Sequence, residues 1–187
     1  MTLHLTKKLA DKLSLSPAIA SSDDSLFSWR ANYVCEDGFR FVVLMNDASG
    51  FVVVINEAKM PKLKKLPELF IQILRGTLLV LDVNPEVIER YISDLGEITY
   101  AKNSDRKQTA RLNARVEEVW WGLRDLTSDA DLSKYANGRP YDITSAEGLI
   151  FPKEKMFRLL ERYGLPVRKC RVLNFEEYAR RVRRNRL

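Results

Sequence analysis

Cysteine and histidine are almost missing from this chain, and their scarcity removes several chemistries at once. Cys35, Cys170 and His4 are the only ones in 187 residues. Two distant thiols do not make a disulfide scaffold, and three such residues cannot close a tetrahedral zinc site alone. The eight glycines are scattered and form neither GxGxxG nor GxxxxGK[ST], which removes the two commonest phosphate-cradling loops. HExxH, CxxC and nucleophile-elbow patterns are absent as well. No residue pattern implies a cofactor or metal. Long apolar runs are also lacking: the most apolar window, 69–81, is broken by Arg75 and too short to span a bilayer. The N-terminal MTLHLTKKLADKL has no signal-peptide core. The expectation is a soluble, cytoplasmic protein with no membrane association, and 45% hydrophobic content suits one sizeable core.

What the chain does have is a β-rich stretch over 28–57, SWRANYVCEDGFRFVVLMNDASGFVVVINE. β-Branched and aromatic residues dominate it, and EDG and DASG interrupt it with turn formers. Loops this short force antiparallel pairing, so a three-strand meander is predicted. Period-two alternation puts Trp29, Ala31 and Tyr33 on one face and Arg30, Asn32 and Val34 on the other. The near-continuous apolar runs of the second and third strands predict central positions with helices on at least one face.

Around this meander, 2–5 reads as a short strand and Thr6 as the cap of a helix over KKLADKL, with 14–25 a loop. Apolar residues at three- and four-residue spacing predict a helix over 66–81. Asn84-Pro85 opens another that Gly96 can stop, and EITYA at 97–101 reads as a further strand. A long helix is predicted over 107–126, with Leu112, Val116, Val119, Trp120 and Leu123 toward the core and Arg115 and Glu118 paired on another face. Trp120 and Trp121 cannot both point inward, so one must meet a second surface. Residues 127–151 read as a long loop with one short helix near 132–135, followed by a helix from Pro152 that Gly164 ends.

The charge is uneven. Residues 168–187 hold eight of the 31 Lys and Arg but two of the 25 Asp and Glu, leaving 23 of each sign over 1–167. The net charge of +6 thus belongs to the C-terminal segment. A basic helix over 174–187 with Arg180, Arg181, Arg183, Arg184 and Arg186 suits phosphate backbones, while a solvated tail explains the same residues. A second candidate is polar. Trp29, Asn32, Asn46, Asp47, Asp105, Arg106, Arg111 and Asn113 fall at strand ends and at the start of the long helix, where one cleft could offer arginines to a phosphate or carboxylate. The competing reading is a structural network in which the aspartates cap turns and pair with arginines. Lys7 and Lys8 at a helix start are anion-site candidates or ordinary solvated lysines. Cys35 with His4 could form a nucleophile and base, but nothing supplies an orienting third group.

The segments LHLTKKLADKL, LFSWRANYV, VVLMNDASGFVVV, NPEVIERYISDLGEITYAKNSDR and ARLNARVEEV together resemble an uncharacterised bacterial family classed only as a domain of unknown function. The likeness runs through most of 2–173, including SKYANGRP and LPVRKCRVL. Relatives usually have Cys where Leu5 stands and often His where Arg30 stands, so a site built on that thiol or imidazole is not implied here. Some relatives carry plasmid or transposon passenger domains, which implies a link with mobile DNA. The resemblance carries along Thr6, Lys7, Lys8, Trp29, Asn32, Asn46, Asp47, Asp105, Arg106, Arg111 and Asn113, and no catalytic role for any of them.

The expected architecture is an α+β domain over 1–173, a mainly antiparallel sheet of the 28–57 meander plus strands near 2–5 and 97–101 packed with helices, and a basic helical tail over 174–187. The expected function is a non-enzymatic binding or accessory protein contacting nucleic acid or another protein. The alternative is an enzyme or sensor that binds a small anion in a cleft lined by Trp29, Arg106, Arg111 and Asn113.

Overall fold

A computed structural model describes residues 1–19, 25–140 and 151–168 of the chain. The expected strands form: β1 (Thr2–Leu5), β2 (Ser28–Glu36), β3 (Phe39–Asn46), β4 (Val52–Ile55) and β5 (Thr99–Lys102). They make one mixed sheet ordered β4-β3-β2-β1-β5. The meander supplies the antiparallel pairs, which account for most of the paired residues, and β1 lies parallel to both β2 and β5. Asp37 and Gly38 both adopt positive φ (45° and 83°), the conformation that lets a two-residue turn follow the twist of β2 and β3.

Around the sheet run α1 (Lys7–Lys12), α2 (Met60–Leu63), α3 (Leu66–Val80), α4 (Pro85–Leu95), α5 (Arg106–Gly122), α6 (Asp129–Asn137) and α7 (Pro152–Leu160). None of the helices among the described residues is long and apolar enough to cross a membrane. Asn84 caps α4 by accepting from the Glu86 N–H, and Gly96 ends it at φ 57°. Thr6 stands at the N-terminal boundary of α1 but does not cap it with its side chain. Its hydroxyl donates instead to Asn32 Oδ1 on β2 at 3.1 Å.

Both faces of the sheet are covered, and the alternation in β2 decides which side chains go where. Trp29, Ala31, Tyr33, Leu44 and Val53 join one apolar core with Phe70 and Leu74 of α3, Tyr91 of α4 and Met156 of α7. Val34, Phe41, Val43, Met45 and Val54 join a second core with Leu112 and Val119 of α5 and Leu132 and Ala136 of α6. Strand β4 is at the sheet edge, not central as its apolar run suggests. The run is apolar because cores on both faces bury it, every residue from Val52 to Ile55 being within 1% of full burial.

A buried edge strand leaves backbone groups that water cannot reach, and α6 pairs them with side chains. The Val52 N–H donates to Asn137 Oδ1 at 2.8 Å, and Asn137 Nδ2 donates back to the Val52 carbonyl at 2.7 Å. The Val54 N–H donates to Ser133 Oγ at 2.9 Å and the Asn56 N–H to Asp129 Oδ1 at 2.8 Å. Four residues of helix rise about 6.0 Å and two residues of strand about 6.6–6.8 Å, so residues at i, i+4 and i+8 keep step with alternate outward amides. In the described part of the expected loop, 127–140, the short helix expected near 132–135 is longer: α6 takes nine residues, Asp129–Asn137, while 141–150 lie outside the described residues.

Arg115 pairs with Glu118 as its spacing predicts, and it is also fully buried, its Nη2 donating to the Ala136 carbonyl in the last turn of α6. Nη1 lies 3.2 Å from Glu118 Oε2. Burial pushes the Glu118 carboxyl up, against the opposing pull of Arg115. A guanidinium at the carbonyl end of a helix is favoured by the helix dipole as well as by the hydrogen bond.

Asn137→Ala would strand both backbone groups of Val52. We expect it to lower the unfolding free energy by about 2–4 kcal/mol in urea denaturation, against about 1 kcal/mol for loss of the α4 cap in Asn84→Ala. A loss no larger than that of the cap variant would mean that the α6 side chains do not replace a neighbouring strand.

Candidate functional site

The polar residues nominated from the sequence divide into three groups. The first is centred on a residue that was not nominated, Arg30. Alternation places Arg30 on the sheet face away from Trp29, beside His4 of β1 and Met45 of β3. Its Nε donates to Asp47 Oδ1 at 2.7 Å and its Nη2 to Asp47 Oδ2 at 3.1 Å, while Nη1 donates to Asn103 Oδ1. Ser28 Oγ donates to Asp47 Oδ2 at 2.8 Å, and Thr109 Oγ1 to Asn103 Oδ1 at 3.3 Å. The side chains of Arg30 and Asp47 retain 7% and 8% of their exposure, so this is a buried bidentate pair. Asp105 caps α5 by accepting from the Gln108 N–H at 3.1 Å. That bond holds its carboxyl below the usual range, with a smaller contribution from Arg30. The group joins β2, the β3–β4 turn, the end of β5 and the start of α5.

Asn46 belongs to the same turn and is also structural. Fully buried, it accepts from the Ser49 N–H and Oγ and donates to the Leu26 carbonyl at 2.8 Å. It fixes both the β3–β4 turn and the chain entering β2.

The second group is the proposed cleft, which does not assemble as a ring. Trp29 is fully buried on the opposite face, edge-on to Phe70 at 4.9 Å between centroids, with its Nε1 donating to the Tyr91 hydroxyl. Asn32 Nδ2 does reach Asn113 Oδ1, at 3.4 Å. On α5 Arg106 and Asn113 share a face, but five residues at about 100° each carry Arg111 about 140° around from Arg106. The structure thus brings Asn32 and Asn113 together with Thr6 and keeps Trp29 apart from them.

The third group surrounds α1. Lys7, Lys102 and Asn103 line a cleft of about 340 Å³ with Asp11, Leu15 and Pro17, at the carboxyl ends of the parallel strands β1 and β5. Lys8 points elsewhere, its Nζ 5.8 Å from the centre of the Tyr33 ring. Cys35 is exposed, and hydrogen bonding to Tyr33 followed by Arg40 lowers its pKa. It cannot work with His4. His4 pairs in register with Arg30, five residues or about 16 Å of strand from Cys35, and alternation puts the two on opposite faces. Among the described residues no group of three His, Cys, Asp or Glu could hold a metal ion. The five arginines 180–186 lie outside the described residues, as does Cys170.

Arg30 was missed because an arginine inside a strand reads as a solvent-facing residue; its alternation with Trp29 was the available signal. The buried pair makes a sharp prediction. Asp47→Asn and Arg30→Met should each cost about 3–5 kcal/mol in urea unfolding, because each leaves a buried partner uncompensated, and the double variant should lose less than their sum. Additive losses would show that the two side chains do not act as a pair.

No curated protein matches the chain. A family model described as a domain of unknown function matches residues 2–155, a span that holds all five strands, the Arg30–Asp47 pair and the α6 seam but stops before the basic segment. With most of its length matched, the chain belongs to this family, DUF6933.

Proposed function

We propose that this protein is a non-enzymatic cytoplasmic accessory protein that holds nucleic acid through its basic C-terminal segment. The observation that carries the reading is the way charge is used. Among the described residues, Arg30 and Asp47 satisfy each other, Asp105 caps a helix and Arg115 holds the end of α6, so the residues best suited to chemistry are engaged structurally. The surplus of six positive charges lies in 168–187, with five arginines in 180–186. Charge concentrated in this way suits a phosphate backbone without reading sequence.

A second reading is favoured by the 340 Å³ cleft. Lys7, Lys102 and Asn103 could take a small phosphorylated or carboxylate ligand there. This keeps the small-anion alternative but moves it away from Trp29, Arg106, Arg111 and Asn113, which do not line the cleft.

Both are tested by titrating the full chain with a labelled duplex and with a panel of phosphorylated metabolites, the latter read by thermal shift. The tail reading predicts duplex binding that weakens steeply between 50 and 200 mM salt, on the order of 10³-fold if six phosphates are neutralised, and that disappears when residues 174–187 are removed. Unchanged affinity after truncation would overturn it. Stabilisation by one metabolite, lost in Lys7→Ala and Lys102→Ala, would favour the cleft instead.

A further inference from the structure

A charge-balanced sequence does not make a charge-balanced surface, and one groove on the folded domain shows the difference. It has a volume of about 520 Å³ and lies between the end of α3, the α5–α6 connection, α6 and the start of α7. Leu81, Leu126 and Tyr135 give it apolar walls, and Lys134, Arg139 and Lys153 give it three cations against the single carboxylate of Asp131. None of the three cations enters an ion pair among the described residues. The volume is within the range of sites that enclose small organic groups.

Two cation–π contacts between a guanidinium and an aromatic ring mark this region. Arg139 lies over the Tyr135 ring at 4.8 Å and donates to its hydroxyl at 2.9 Å. Arg124 lies over Trp121 at 4.4 Å. Trp121 is 56% exposed, the most exposed aromatic residue described, whereas its neighbour Trp120 is packed against Phe39 and Phe41. The two contacts belong to adjoining helix ends: a Cβ on Gly122, the residue after Trp121, would meet Tyr135 Cδ1 at 2.9 Å. Glycine there lets the Tyr135 ring sit directly against the α5 backbone.

We infer that this groove and the adjoining Trp121 form a site for single-stranded nucleic acid, with bases stacked on the guanidinium and indole faces and phosphates on Lys134 and Lys153. Planar cationic and aromatic surfaces beside lysines supply the two contacts a single strand needs, a π-face for each base and a cation for the backbone. A duplex conceals its base faces and makes only the second contact. An acidic peptide could use the lysines but has no plane to place on Arg139 or Trp121. The site deepens the nucleic-acid reading by adding strand selectivity on the folded domain, and it does not require the tail.

The test uses the full chain and a variant with Arg180, Arg181, Arg183, Arg184 and Arg186 all changed to Gln, each titrated with oligothymidylate while tryptophan fluorescence is followed. Trp29 is buried and Trp120 is half-buried against Phe39 and Phe41, so quenching is assigned to Trp121 by its loss in Trp121→Phe. Saturable quenching should occur in both proteins and vanish in Trp121→Phe. Anisotropy with the labelled strand should show at least tenfold weaker binding for Lys134→Glu/Lys153→Glu and about tenfold weaker for Arg139→Ala, with unchanged circular dichroism. Single strand should also be preferred over a duplex of equal length. Binding that survives the groove substitutions but is lost with the tail arginines would overturn the groove and leave the tail reading standing. Groove-dependent binding that persists without those arginines would support the groove, with the tail judged by the duplex titration. Equal quenching by polyglutamate, or by a free mononucleotide at the same concentration, would overturn the assignment to a nucleic-acid strand.

Discussion

The structure depends on how the β4 edge is closed. Strand β4 is apolar on both faces, and an apolar strand at a sheet edge presents unpaired amides to whatever can pair with them. Asp129, Ser133 and Asn137 answer this from a helix. The solution is demanding, since each side chain must be short enough to hold its geometry and the helix must run alongside the strand. Burial works against one member of the set: it pushes the Asp129 carboxyl up, while the Asn56 N–H draws it back down.

Once α6 is fixed on β4, its neighbours follow. Arg115 ties α5 to the last turn of α6, and Gly122 allows Tyr135 to approach α5. The second core, from Phe41 and Val43 to Leu112 and Leu132, fills the space this leaves. In the central strand β2 the Arg30–Asp47 pair joins strand, turn and helix start. The groove beside Tyr135 lies against α6, the helix that closes the β4 edge.

Much of the fold was legible because its signals are local. The meander, the α4 cap at Asn84 and the stops at Gly96 and Gly164 rest on turn and cap chemistry that tertiary contacts did not override. The extent of α6 was not legible. Its polar residues at i, i+4 and i+8 face a buried strand, so a search for an apolar stripe reads them as solvent-facing. The Arg115–Glu118 pair was legible from its spacing, but the burial of Arg115 under the end of α6 was not, since its acceptor, the Ala136 carbonyl, comes from another helix. The cleft failed on a constraint already present: alternation in β2 separates Trp29 from Asn32, and the structure follows the alternation. Trp121 was legible as a residue needing a second surface, but the cations beside it come from α6 and α7 and meet only in three dimensions.

Native-state hydrogen exchange at the Val52, Val54 and Asn56 amides tests the edge closure most directly. If α6 stands in for a strand, the Val52 and Val54 amides exchange only as slowly as the interior amides of β3, through global unfolding. Exchange at these positions as fast as in exposed turns would mean that the edge is open and that α6 merely lies against it.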